Sequence, residues 1–170
     1  MIYLTHHSLN NQILISIYQS LVYPLLVYCN VIWGNSPQKH LNPLIVSQKR
    51  VIRTIKNRNR YYHTNNDFHT LGFLKIKEIN TYFASIFVYK SLNRISYPIE
   101  YFRYNDNNDY NLRNINNLLA PLVNSDQSQR SPSYYCCDIW NNLPLTIKEK
   151  PSVASFKFAL KHHLIRMYLQ

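Results

Sequence analysis

Apolar residues recur at steps of three and four along most of the chain, the spacing that stacks side chains on one face of an α-helix. In residues 8–28 the series Leu14, Ile17, Tyr18, Leu21, Leu25 and Tyr28 follows it. Pro24 lies inside this stretch, lacks an N–H and is expected to kink the helix. Gly34 and Pro37 end the element near Trp33. The wider apolar stretch, residues 13–33, is broken by Ser16, Gln19, Ser20, Pro24 and Asn30, so it reads as a buried helix and not as a membrane span.

Residues 41–56 form the clearest amphipathic segment. Leu41, Leu44, Ile45, Gln48, Ile52 and Ile55 fall on one side at 100° per residue, and Lys49, Arg53 and Lys56 on the other, flanked by Arg50. One face can enter a core while the opposite face stays cationic. Pro43 is expected in the first turn, where its missing N–H costs nothing.

Further on, residues 58–66 are polar and read as a loop, and residues 67–71 as a helical turn closed by Gly72. A third helix is expected over residues 75–93, where Ile76, Ile79, Phe83, Ile86, Phe87 and Lys90 keep the helical step and apolar residues nearly surround the axis. From 103 to 117 the composition shifts to Asn, Asp and Tyr, a loop or partly disordered linker. Residues 130–137, rich in Ser and Tyr, suggest a strand. Residues 138–143 suggest a helical turn stopped by Pro144. Ser152 caps a last helix reaching about Tyr168, with Val153, Phe156, Leu160, Leu164 and Met167 on its buried side. The expected fold is mainly α, a helical bundle with a small β element near the C-terminal module. Its segments are 1–60 (a helical pair), 61–102 (a central helical segment), 103–128 (an Asn-rich linker) and 129–170 (a module with a terminal helix).

Charge changes this picture most. The formal net charge is +11, and no Asp or Glu precedes Asp67, whereas Lys39, Lys49, Arg50, Arg53, Lys56, Arg58 and Arg60 all do. Such a chain is expected to meet a polyanion, nucleic acid or an anionic surface. The competing reading is a solvated basic face that keeps the protein soluble. With only two glycines, Gly34 and Gly72, no Gly-rich phosphate loop can be built, and tight turns are scarce. Cys29, Cys136 and Cys137 make no disulfide framework and point to a reducing compartment.

Catalytic chemistry is hard to place on these residues. Two-metal phosphoryl transfer needs paired carboxylates, and no Asp-Asp, Asp-x-Asp or Glu-x-Asp occurs. Asp106 and Asp109 are the nearest pair, in an Asn-rich stretch without a strand signal. The His6-His7 and His162-His163 pairs lack the spaced companions a zinc site needs, and Cys136-Cys137 has no neighbouring His in sequence to activate it. No catalytic residue, metal site or cofactor is therefore assigned.

Four segments, in order, resemble the region after the palm in reverse transcriptases of jockey-like and related non-LTR retrotransposons. The run from Tyr18, Ser20, Leu21 and Val22 through Pro24, Leu25 and Tyr28 to Trp33 looks like the family's Y-x-S-L-[IV]-x-P helix with its following Trp. Gln48-Lys49-Arg50, within residues 44–55, resembles a Q-[KR]-[KR] helix. Ile139-Trp140-Asn141-Asn142-Leu143-Pro144 resembles [IV]-W-N-x-L-P, and Ser152, Phe156, Lys157, Leu160 and Lys161 a terminal S-x-x-x-F-K-x-x-L-K helix.

The resemblance implies that residues 1–60 correspond to a polymerase thumb, the helical pair that grips template and primer. It also implies that an endonuclease, fingers and palm lie in an upstream part of a longer parent. Under it the chain is not a polymerase on its own. It is expected to bind the backbone of an RNA–DNA or DNA duplex without reading sequence, through Lys49, Arg53 and Lys56 supported by Arg50, Arg58 and Arg60. Its other expected partner is the palm of a complete parent; a membrane is not expected. Trp33, Trp140, Tyr18 and Tyr28 are expected in packing roles. The alternatives are a structural or protein-interaction module, and a decayed element copy without function.

Overall fold

A computed structural model describes residues 10–95, 102–104 and 117–169. The protein is mainly helical, and it divides into two compact units that are discontinuous in sequence. One gathers residues 1–30, 36–79 and 161–170, the other residues 31–35 and 80–160.

The first unit opens with α1, Asn11–Ile17, whose N-cap Asn10 accepts a hydrogen bond from the Gln12 N–H. The helix passes directly into a π-helical segment, Tyr18–Val22, and then into α2, Tyr23–Val27. The Tyr23 N–H bonds the Tyr18 carbonyl five residues back. This wide turn sits just before Pro24 and takes up its lost N–H by a change of register instead of a break. The π turn also corrects the expected apolar stripe. Leu14 and Tyr18 are buried as anticipated, but one extra residue in the turn rotates the rest of the helix by about 100°. Leu21, Leu25 and Tyr28 therefore face outward, Leu25 at 75% exposure, and Leu26 is buried in their place. After Cys29, in a left-handed conformation, comes the short α3, Asn30–Trp33.

The helix α4, Gln38–Ile55, starts three residues earlier than its pattern suggests, with Pro37 at the N-cap. Pro43 accordingly lies in the second turn, not the first. The carbonyl of Lys39, four residues before it, loses a partner there, and Lys39 is exposed so water can replace it. Leu41, Gln48, Ile52 and Ile55 are buried. Leu44, expected beside them, is 38% exposed, at the edge of the stripe. Then come α5, Asn65–Leu71, closed by Gly72 in the left-handed region (φ +64°), and α6, Ile76–Leu92, of which only the first turn, to Ile79, belongs to this unit. Gly72 ends α5 as its position in the sequence suggests.

Around this unit's centre Leu14, Tyr18, Ile52, Ile55, Phe68, Phe73 and Tyr168 pack together. Tyr18 stacks on Phe73 with ring centroids 4.8 Å apart. Gln48, 3% exposed, joins the elements. Its Nε2 donates to the Tyr18 hydroxyl (3.0 Å) and the Leu74 carbonyl (2.9 Å), and its Oε1 accepts from the Ile76 N–H (3.2 Å). A buried amide so fully used ties three segments together, and removing it would strand several polar groups at about 1–3 kcal/mol each.

In the second unit, α7 (Asp126–Gln129), α8 (Pro132–Asn141), α9 (Leu145–Lys148) and the start of α10 (Val153–Arg166) succeed one another. The strand expected at residues 130–137 is not formed; α8 runs through it and absorbs the turn expected at 138–143. Ser131 stands at the N-cap and Pro132 in the first turn, a start that favours a helix. Cys136, Cys137 and Trp140 then bury one helical face, and this packing outweighs the local β preference of Tyr134 and Tyr135. Among the described residues the β structure is a single antiparallel bridge, Tyr104 to Leu118. Trp140 lies 5.9 Å from Phe156, and Phe156 stacks on Tyr89 at 4.4 Å. The Tyr135 hydroxyl donates to the Val31 carbonyl, and Asn141 bonds both the N–H and the carbonyl of Leu118.

At α10 Ser152 Oγ accepts from the Ser155 N–H, as a cap should. Phe156, Leu160 and Leu164 are buried as the spacing predicts. Met167 is not, at 53% exposure. The chain tightens there into a 3₁₀ turn, Met167–Leu169, which brings Tyr168 inward instead. Tyr168 packs edge-on to Phe68.

Candidate nucleic-acid interface

Helix α4 ends in a way that gathers cations. Lys56 is the C-cap and Asn57 takes a left-handed φ of 49°. The Asn57 N–H bonds the Thr54 carbonyl (3.2 Å), and the Arg58 N–H bonds the Arg53 carbonyl (2.8 Å). This is a Schellman closure, with Asn in the place glycine commonly holds. The chain reverses there, so residues after the helix turn back beside its last two turns. Basic side chains are also favoured at this end, where unpaired carbonyls concentrate negative potential.

As a result Arg50 and Arg53, three residues apart on α4, share a cleft of about 440 Å³ with Arg58, Arg60 and Thr54. Thr54 Oγ1 is turned inward, donating to the Arg50 carbonyl (3.0 Å). Arg53 does double duty: its Nε donates to the Tyr62 carbonyl (2.9 Å) and so holds the loop in place. Arg58 stacks over the Tyr62 ring, 4.6 Å from its centroid, and its Nη2 lies 3.5 Å from Asp67 Oδ1. Arg50 and Arg60 are exposed and have no carboxylate partner of this kind among the described residues.

Of the six cations predicted for nucleic acid, the structure thus brings four into one cleft. Lys49 and Lys56 do not line it. Lys49 is half-buried and lies near enough to Lys75 for its charge to help lower the Lys75 pKa. Burial is the larger cause of that lowering, and Glu78 opposes it.

The supports of this cleft are not evident from the sequence. Asp67, in the sequence merely the first acid of the chain, is 2% exposed and anchors Arg58. The Lys-Asn-Arg run after an amphipathic helix is the available signal for the reversal, since Asn is the residue after glycine that best accepts a left-handed cap. A second cationic spot carries no sequence signal: Lys75 Nζ sits 3.9 Å over the Tyr168 ring and donates to Asn65 Oδ1 (3.0 Å).

Four guanidiniums in one cleft suit phosphate, which planar N–H forks bind bidentately. Among the described residues no carboxylate lines it. Among the described residues no three His, Cys, Asp or Glu side chains gather where they could hold a metal ion. His6, His7, Asp106 and Asp109 lie outside the described residues. Cys136 and Cys137 are buried and their thiols are raised by burial, which keeps them protonated. Among the described residues no helix is long and apolar enough to cross a membrane. No protein family, curated protein or solved structure matches the chain.

Proposed function

We propose that this chain binds nucleic acid through its phosphate backbone, without reading base sequence, at the arginine cleft on the C-terminal end of α4. The observation that carries the reading is the convergence of Arg50, Arg53, Arg58 and Arg60 on one cleft, with no carboxylate in its lining among the described residues. Such groups position a duplex and carry no sequence information. The test is fluorescence anisotropy with two short duplexes of unrelated sequence, one DNA and one an RNA–DNA hybrid. If four phosphates are neutralised, affinity should fall roughly 100-fold between about 50 and 200 mM salt, and it should do so alike for both. Absence of binding, or binding that depends on base sequence, would overturn the proposal.

The resemblance to non-LTR reverse transcriptases extends this reading: the α1 to α4 region would serve as the thumb of a longer polypeptide whose palm carries the catalytic carboxylates. The chain by itself would then grip a template–primer without extending it. Purified protein free of host polymerase should incorporate no nucleotide on a primed template. Incorporation abolished by a chelator would contradict that.

A further inference from the structure

The loop after α4 contributes to two different surfaces. Arg58 and Arg60 line the cationic cleft. Asn59, Tyr61, Tyr62 and His63 line a second open cleft of about 630 Å³, with Asn66 and Tyr168 among its other lining residues. One strip of backbone therefore has guanidiniums on one side and a tyrosine with amides on the other.

The two tyrosines of this loop are used differently. Tyr62 is half-buried beneath the Arg58 guanidinium, and its carbonyl is held by Arg53. Tyr61 is 85% exposed, the most exposed aromatic ring among the described residues. Its backbone is nevertheless fixed, because its N–H donates to Asn59 Oδ1 (3.2 Å) and the next N–H, of Tyr62, bonds the Asn59 carbonyl (3.3 Å). A large ring projecting from an anchored turn leaves apolar surface in water with no packing return. A flat partner that stacks on it would relieve that cost.

We infer that this loop is a binding site for unpaired nucleotides, with a base stacked on Tyr61 in the second cleft and the adjoining phosphates held by Arg58 and Arg60 in the first. The inference rests on the nucleic-acid reading of the arginine cleft and adds to it a single-strand subsite. The phosphates and bases of a strand match the cations of the first cleft and the stacking surface of the second. Stacking is indifferent to base identity because every base has a π-face. The Asn66 amide, which can donate and accept, can meet the edge of whichever base is present. A blunt duplex keeps its bases stacked on one another and offers Tyr61 nothing, so the two substrates separate the two sites.

The experiment measures anisotropy of a labelled single-stranded DNA, an RNA strand of the same sequence, and a blunt duplex, each against the parent, Tyr61→Ala and Tyr61→Phe. Because Tyr61 is exposed, neither variant should alter the fold, and circular dichroism verifies this. Tyr61→Ala should weaken single-strand binding roughly fivefold to 100-fold and leave the duplex unchanged. Tyr61→Phe, which keeps the ring, should bind all three as the parent does. A loss on either strand type supports the stacking site, and the type that loses more identifies the source. Single-strand affinity that ignores Tyr61→Ala, or a duplex that weakens equally, would overturn the inference while leaving the arginine cleft standing. Failure of the parent to bind any of the three would remove both.

Discussion

Arg58 Nη2 lies 3.5 Å from Oδ1 of Asp67, joining a half-exposed guanidinium to a carboxylate that is almost wholly buried. The pair fixes the direction of the loop after α4 and withdraws part of one positive charge from the cleft. The second Asp67 oxygen has no hydrogen-bond partner among the described residues. The carboxylate is thus held chiefly by Arg58, and the arrangement favours a placed cation over a maximally charged one.

Asp67→Asn keeps the shape of the side chain and removes its charge. Arg58 would then present its full charge to a ligand, and duplex affinity at low salt should rise up to about fivefold, a gain that salt should erase. Titrations of the parent and variant at two salt concentrations measure it. Weaker binding by a folded variant would mean that the anchoring of Arg58 matters more than its charge.

Trp140 is buried against Phe156 in the second unit, with Lys148 Nζ 5.9 Å over its ring. Its Nε1 finds no acceptor among the described residues, so packing and not hydrogen bonding keeps it there. Trp140→Ala should destabilise the protein by roughly 3–5 kcal/mol, measured by urea unfolding. A change below about 0.5 kcal/mol would show an accessible ring, and the packing assignment would fall.

The thiols separate by burial. Cys29 is exposed and should react quickly with a thiol reagent, while Cys136 and Cys137 react only on unfolding. Burial pushes Cys136 up to about 12 and Cys137 up to about 11. Because both folded values are raised, the stability they contribute is intact below the unfolded value of about 8.5. It is lost as pH rises through the folded values. Unfolding free energy should therefore be steady to about pH 8.5 and decline above it, and Cys136→Ser should change the alkaline slope. Rapid modification of all three cysteines at neutral pH would contradict the burial.

Much of the fold could be read from spacing alone, because long amphipathic helices write their period plainly. The stripe of Leu41, Gln48, Ile52 and Ile55 and that of Phe156, Leu160 and Leu164 are buried as expected. Two of the misplaced pieces share one cause, a local change of helical register that no fixed 100° step anticipates. The π turn at Tyr18–Val22 sends Leu25 outward, and the 3₁₀ turn at Met167–Leu169 exchanges Met167 for Tyr168. The strand at 130–137 fails differently, since the β preference of its tyrosines gives way where a helix can bury Cys136, Cys137 and Trp140 on one face. Of the arginine cleft, charge marks the C-terminal end of α4 but not the shape that the chain takes there. Arg58 and Arg60 join Arg50 and Arg53 only because Asn57 turns the chain back, and Lys49 and Lys56 do not line the cleft that this reversal makes.

The salt dependence of duplex binding decides most directly whether the arginine cleft holds phosphate. Arg53 holds the Tyr62 carbonyl and Arg58 pairs with Asp67, whereas Arg50 and Arg60 are exposed, so replacing these two by Gln should leave the fold intact. Lys157→Gln with Lys161→Gln on α10 removes the same charge elsewhere. The slope of log affinity against log salt should flatten by about 1.5–2 units for the arginine pair, at roughly 0.7–0.9 per lost phosphate, and by less for the lysine pair. A folded Arg50→Gln, Arg60→Gln variant whose slope equals the parent's would contradict the claim and leave the basic face as a solvated surface.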